Sequence, residues 1–128
     1  MIIQDSALYV GLLLLLMLVL GGRISLLRQK HRVSMGSADH ADLQRAIRVF
    51  GNFTEWAPML AAALVLCEIV GAPSIFIHVV GIVLVVARIL HPIGLRPDRT
   101  TAARGAGAGL TLLCALCMGV YLVYASVL

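Results

Sequence analysis

Apolar positions along this chain gather into four long runs, each parted from the next by a short polar or Gly/Pro segment. A bilayer-crossing helix needs ~20 mostly apolar residues. Stretches of about 7–27, 43–70, 74–95 and 101–128 meet that length. The first carries the leucine run Leu12 to Leu16 and ends on Gly21, Gly22 and Arg23. The second opens on a polar turn or two before Trp56, Ala57 and Pro58. Gly71-Ala72-Pro73-Ser74 then breaks the chain, because Gly ends helices well and Pro suits the first turn of a new one. Leu95-Arg96-Pro97-Asp98 closes the third. With such short connections the pattern predicts an all-α fold: an integral membrane, antiparallel four-helix bundle, with residues 1–128 as one domain. A secretory signal is the competing reading of the first run. That run exceeds the ~7–15 apolar residues of a signal, and what precedes it is Asp5 rather than a cation.

Composition points the same way. Of 128 residues, 61% are apolar and 12% charged, against ~45–50% and ~25% in soluble domains. A soluble fold this small could not hide so much apolar surface. The net charge of +4 therefore marks loops rather than a nucleic-acid partner. Arg23, Arg28, Lys30, Arg32, Arg45 and Arg48 lie around the first connection, and Arg96, Arg99 and Arg104 around the third; the second has no cation. The positive-inside rule thus predicts cytoplasmic basic loops and both chain ends on the opposite side.

Polar residues inside the runs carry the functional signal. At about 100° per residue, Arg45, Arg48, Asn52 and Glu55 fall within one arc of roughly 80° on the second helix. Arg88 and His91 are neighbours one turn apart on the third helix, and Arg104 opens the fourth at the same level. Arginine outnumbers carboxylate here, which suits an anionic guest, since the planar guanidinium fork matches carboxylates. A purely structural reading, with cations reaching up to lipid headgroups, suffices for Arg23, Arg28, Lys30, Arg32, Arg96 and Arg99. Ionisable groups at membrane depth, such as Arg48 and Glu55, are functional candidates by default.

The segment Leu43 to Pro58, with its core Arg48-x-x-x-Asn52-x-x-Glu55 and following Pro58, resembles the second-helix signature of the MAPEG family, the membrane-associated proteins in eicosanoid and glutathione metabolism. Val86-Ala87-Arg88-Ile89-Leu90-His91 is similar to that family's third-helix arginine segment. The resemblance covers nearly the whole chain and is closest to the short bacterial branch. It implies an inner-membrane homotrimer that binds glutathione at the cytoplasmic side, between helices of adjacent subunits. Arg48, Asn52 and Glu55 would then hold the tripeptide's polar ends, with Arg88, Arg45 and His91 beside them. Arg104 would face the thiol as the catalytic group. A guanidinium beside sulfur lowers a thiol pKa of ~8.5 and raises the thiolate fraction. Two positions depart from the eicosanoid-producing members: Leu95 stands where several have Tyr, and Gly105 follows Arg104 in place of Ser.

Other residues have plainer readings. Cys114 and Cys117 form a C-x-x-C in mid-helix among Leu112, Leu113, Ala115 and Leu116, where buried thiols act as small hydrophobes; Cys67 reads likewise. Glu68 is expected at the outer interface, and His78 there or satisfied within the bundle. Gly105, Gly107 and Gly109 permit close helix approach. No pair among His31, His40, His78 and His91 has the spacing of a metal site. The expected activity is a glutathione transferase or peroxidase acting on hydrophobic electrophiles or lipid hydroperoxides that arrive through the bilayer. The alternatives are a non-catalytic binder of glutathione or anionic lipid, and a small four-span transporter using Glu55.

Overall fold

In the computed structural model, which describes residues 4–95, 99 and 101–127, the chain forms helices α1 (Asp5–His31), α2 (Ala41–Ile69), α3 (Ser74–Gly94) and α4 (Ala102–Val127). All four are long and apolar enough to cross a membrane. They form the expected four-helix membrane bundle, with no strand among the described residues. Arg96, Pro97 and Asp98, which were expected to close the third span, and Leu128, the expected end of the fourth, lie outside the described residues.

Each helix end has a local cause. Past His31 the backbone turns left-handed at Arg32 (φ 55°), and the Val33 amide donates back to the Arg28 carbonyl at 3.0 Å, closing α1 as a left-handed cap does. After α2, Gly71 takes φ 92°, a region where a side chain would be strained, and Ala72 N–H donates to the Cys67 carbonyl at 2.9 Å. Pro73 then precedes α3. The start of α1 has no cap of its own. Glu68, near the far end of α2, supplies one: its carboxylate accepts the backbone N–H groups of Gln4, Asp5 and Ser6 at 3.0–3.1 Å and the Ser6 hydroxyl. A carboxylate there also matches the positive end of the helix dipole. Asp5 in turn accepts from the Ser74 hydroxyl at the start of α3 and lies 3.5 Å from His78 Nε2, while His78 Nδ1 meets the Tyr9 hydroxyl at 2.7 Å.

Packing is tightest between α3 and α4. A Cβ on Gly107 would stand 2.8 Å from the His91 amide nitrogen and 2.9 Å from the Ala87 carbonyl oxygen, so only glycine lets these backbones meet. Gly81 likewise makes room for the Tyr9 ring of α1. Leu64, Cys67, Ile77, Leu84 and Met118 form a fully buried centre. Leu15, Leu18 and Val19 of α1 and Leu116, Val120 and Val123 of α4 point outward, as helices bathed in lipid require. Among the described residues α1 touches α2 and α3 but not α4.

Candidate functional site

The polar residues singled out from the sequence divide into three groups. Arg88 stands at the centre of the first. It projects from α3 into the bundle, is only 2% exposed, and is the largest fully buried side chain. Its guanidinium is shared by two neighbouring helices: Nη1 donates to Asn52 Oδ1 of α2 at 3.2 Å, and Nη2 donates to the Thr111 hydroxyl of α4. The Thr111 hydroxyl in turn donates to the Gly107 carbonyl at 2.7 Å. Arg88 Nε is buried with no partner, and no carboxylate lies within ion-pair distance of Arg88 among the described residues. Against this group opens a recess of about 100 Å³, lined by Asn52, Trp56, Arg88, His91, Ala108, Thr111 and Leu112. A buried guanidinium without a counter-charge is costly, so the recess is electrostatically prepared for an anion.

Around its rim lies the second group. Arg48, one turn before Asn52 on α2, reaches 3.6 Å from Glu55, one turn after it; both are exposed, at 67% and 55%. Arg48 and Glu55 therefore share a face, as predicted, and point out of the single chain, while Asn52 between them meets Arg88. Arg104 occupies the first turn of α4 and is exposed. It lies seven residues before Thr111, which puts it on the same helical face about 10 Å nearer the helix start. His91, buried one turn past Arg88, is within electrostatic reach of Arg48, Arg88 and Arg104 together.

Arg45 stands apart. It shares the helical arc with Arg48 and Asn52, but its guanidinium crosses to the end of α3, where Nε donates to the Leu95 carbonyl and Nη2 to the Pro92 carbonyl at 3.2 Å. These carbonyls lie at the end of α3, where Pro92 O also accepts the Leu95 N–H at 3.4 Å, and a cation suits that end of the dipole. Arg45 does not line the Arg88 recess.

Two residues of the site were not picked out as such. Trp56, which in the sequence is a candidate only for packing or interface anchoring, forms a wall of the recess in the structure. Thr111 reads as nothing special, although a hydroxyl inside the apolar run of α4, two turns from Arg104, is a visible signal. Cys67 and Cys114 are buried and bonded to backbone carbonyls, Cys117 is exposed, and the described residues hold no group of ligands suited to a metal ion.

The model of the MAPEG family matches residues 6–124. The chain is 36% identical over 89 residues to the inner membrane protein YecN of Escherichia coli K12, a match that covers 70% of this chain and 68% of that protein. YecN of Escherichia coli O6:H1, strain CFT073, matches to the same extent. No solved structure matches the chain.

Proposed function

Because this chain belongs to the MAPEG family, we propose that it is a glutathione-dependent transferase or peroxidase of the bacterial inner membrane, working on hydrophobic electrophiles or lipid hydroperoxides. The observation that carries the reading is Arg88: a buried guanidinium with an unpartnered Nε beside an open recess. Glutathione bears two carboxylates and one ammonium. Arg88 and Arg48 match the former, Glu55 the latter, and Asn52 offers an amide to the peptide groups. His91 lines the recess beside Arg88. Arg104, on the recess side of α4, is the group we assign to the thiol, where its charge favours the thiolate. In the transferase step the thiolate sulfur bonds to the electrophilic carbon and the leaving group departs with its electron pair. In the peroxidase step the thiolate sulfur bonds to one peroxide oxygen, the O–O bond breaks and the other oxygen leaves with the electron pair and takes a proton as the lipid alcohol. The thiol of a second glutathione then attacks the sulfenic sulfur, giving the disulfide and water.

A homotrimer belongs to the same proposal. The recess, at about 100 Å³, is smaller than the ~300–1,000 Å³ that small-molecule sites occupy. Arg48 and Glu55 face outward at membrane depth, where lipid is a costly neighbour for charge. A second copy laid over this face covers the charges and completes the pocket. The basic loops then lie on the cytoplasmic side, where the positive-inside rule puts them. A transporter fits less well, because Glu55 stands 3.6 Å from Arg48 on the same helix face rather than as a lone carboxylate.

The test is a titration of the purified protein with glutathione, followed by the ultraviolet absorbance of the thiolate. Arg48→Ala should abolish binding, whereas Arg104→Ala should retain binding and lose the thiolate signal. No saturable response in the wild type would end the reading. Saturable binding with no turnover across a panel of electrophiles and hydroperoxides would leave a binder in place of an enzyme.

A further inference from the structure

A second recess lies among α1, α2 and the end of α3. It is narrow, about 30 Å³, and is lined by Leu20 and Arg23 of α1, Arg45, Ala46 and Val49 of α2, and Pro92 of α3. Two arginines from different helices face it, and no carboxylate lines it. Like charges opposed across an apolar pocket repel each other more strongly than in water, unless an anion stands between them. Arg45 cannot swing away, because two of its nitrogens are committed to the Pro92 and Leu95 carbonyls. Of the five N–H donors of a guanidinium, three therefore remain for another partner, already fixed in direction.

The level of this recess identifies the anion. Arg23 is the first charge after the apolar run that starts at Ala7, so it stands where the hydrocarbon of the bilayer gives way to headgroups. Below it on the same face of α1, at spacings of four, three and four residues, come Val19, Leu16 and Leu12, with Val19 and Leu12 exposed to lipid. A volume of this size admits about two water-sized groups, the room that two phosphate oxygens need. The geometry points to a site for an anionic phospholipid: the non-bridging oxygens of its phosphodiester enter between Arg23 and Arg45, and an acyl chain lies along Val19, Leu16 and Leu12. Basic pockets between transmembrane helices suit such headgroups. The site shares no lining residue with the Arg88 recess and does not depend on the glutathione reading.

Native mass spectrometry of the purified protein, titrated with phosphatidylglycerol, phosphatidylcholine or inorganic phosphate, tests this. The wild type should take one phosphatidylglycerol per chain saturably, ahead of phosphatidylcholine, with inorganic phosphate displacing it poorly. Arg23→Gln should weaken that binding roughly fivefold or more, the worth of about one cation at an anionic surface, and leave the melting temperature unchanged. Arg28→Gln, which removes a cation elsewhere on α1, should leave the affinity as it was. The proposal is overturned if Arg23→Gln binds like the wild type, or if Arg28→Gln weakens binding equally, which would mean unspecific attraction. It is also overturned if inorganic phosphate competes as well as the lipid, which would make this a site for a soluble anion.

Discussion

Replacing Thr111 with Val keeps the shape of the side chain and deletes its hydroxyl. Arg88 then loses one of the two acceptors that hold its guanidinium, leaving Asn52 alone. A hydrogen bond to a charged group contributes about 1.5–3 kcal/mol net, and the loss is greatest when the donor stays buried. Arg88 is buried, and its Nε already lacks a partner. Nor can the helices shift to compensate, since Gly107 holds the backbone of α4 against His91 and Ala87. The expected cost is therefore about 2–3 kcal/mol, which for a chain of this length lowers the melting midpoint by roughly 5–15 °C. Thr111→Ser retains the hydroxyl and should fall by less than about 1 kcal/mol. Thermal unfolding in detergent, followed by the fluorescence of Trp56, reads the site directly, because this is the chain's single tryptophan and it lines the recess. If the Val variant melts with the wild type, Thr111 does not hold Arg88. If Ser, which keeps the hydroxyl, falls as far as Val, the loss does not follow the bond to Arg88 and the reading fails.

Gly107→Val should destabilise the bundle by about 1–3 kcal/mol or more, through overpacking against the backbone of α3. Gly109→Val, where a side chain meets open space, should leave the midpoint within about 0.5 kcal/mol of the wild type; equal effects at both positions would contradict the α3–α4 packing. Glu68→Gln should cost about 0.5–2 kcal/mol as the cap of α1 loses its charge. Hydrogen exchange should then quicken at Asp5 and Ser6 and not in the middle of α2; unchanged exchange there would mean that Glu68 is no cap.

The four spans were legible because lipid imposes one length and one polarity on every crossing helix. Their ends were less so. Structure in α1 starts at Asp5 and continues through Arg28 and Lys30 to His31, well past the apolar run, because a helix need not stop where hydrocarbon does. Periodicity alone put Arg48, Asn52 and Glu55 on one face, and the ion pair between the first and last bears that out. It could not say what each side chain meets. Arg45 lies in the same arc, yet it serves the end of α3, because its long side chain reaches the terminal carbonyls there. Thr111 acquires its role from an arginine 23 residues earlier on another helix. Such pairings arise from packing, which one helix read alone does not contain.

The cap on α1 also bears on the order in which the molecule can be completed. Ser6 emerges in synthesis 62 residues ahead of Glu68, the carboxylate that closes its amide. Until the next segment has threaded the bilayer and returned to that side, the leading turn of α1 has no acceptor of its own to settle on. The first two spans therefore mature as a hairpin, each unfinished without the other, and a nascent chain halted before Glu68 carries a frayed start however firmly its leucines are anchored.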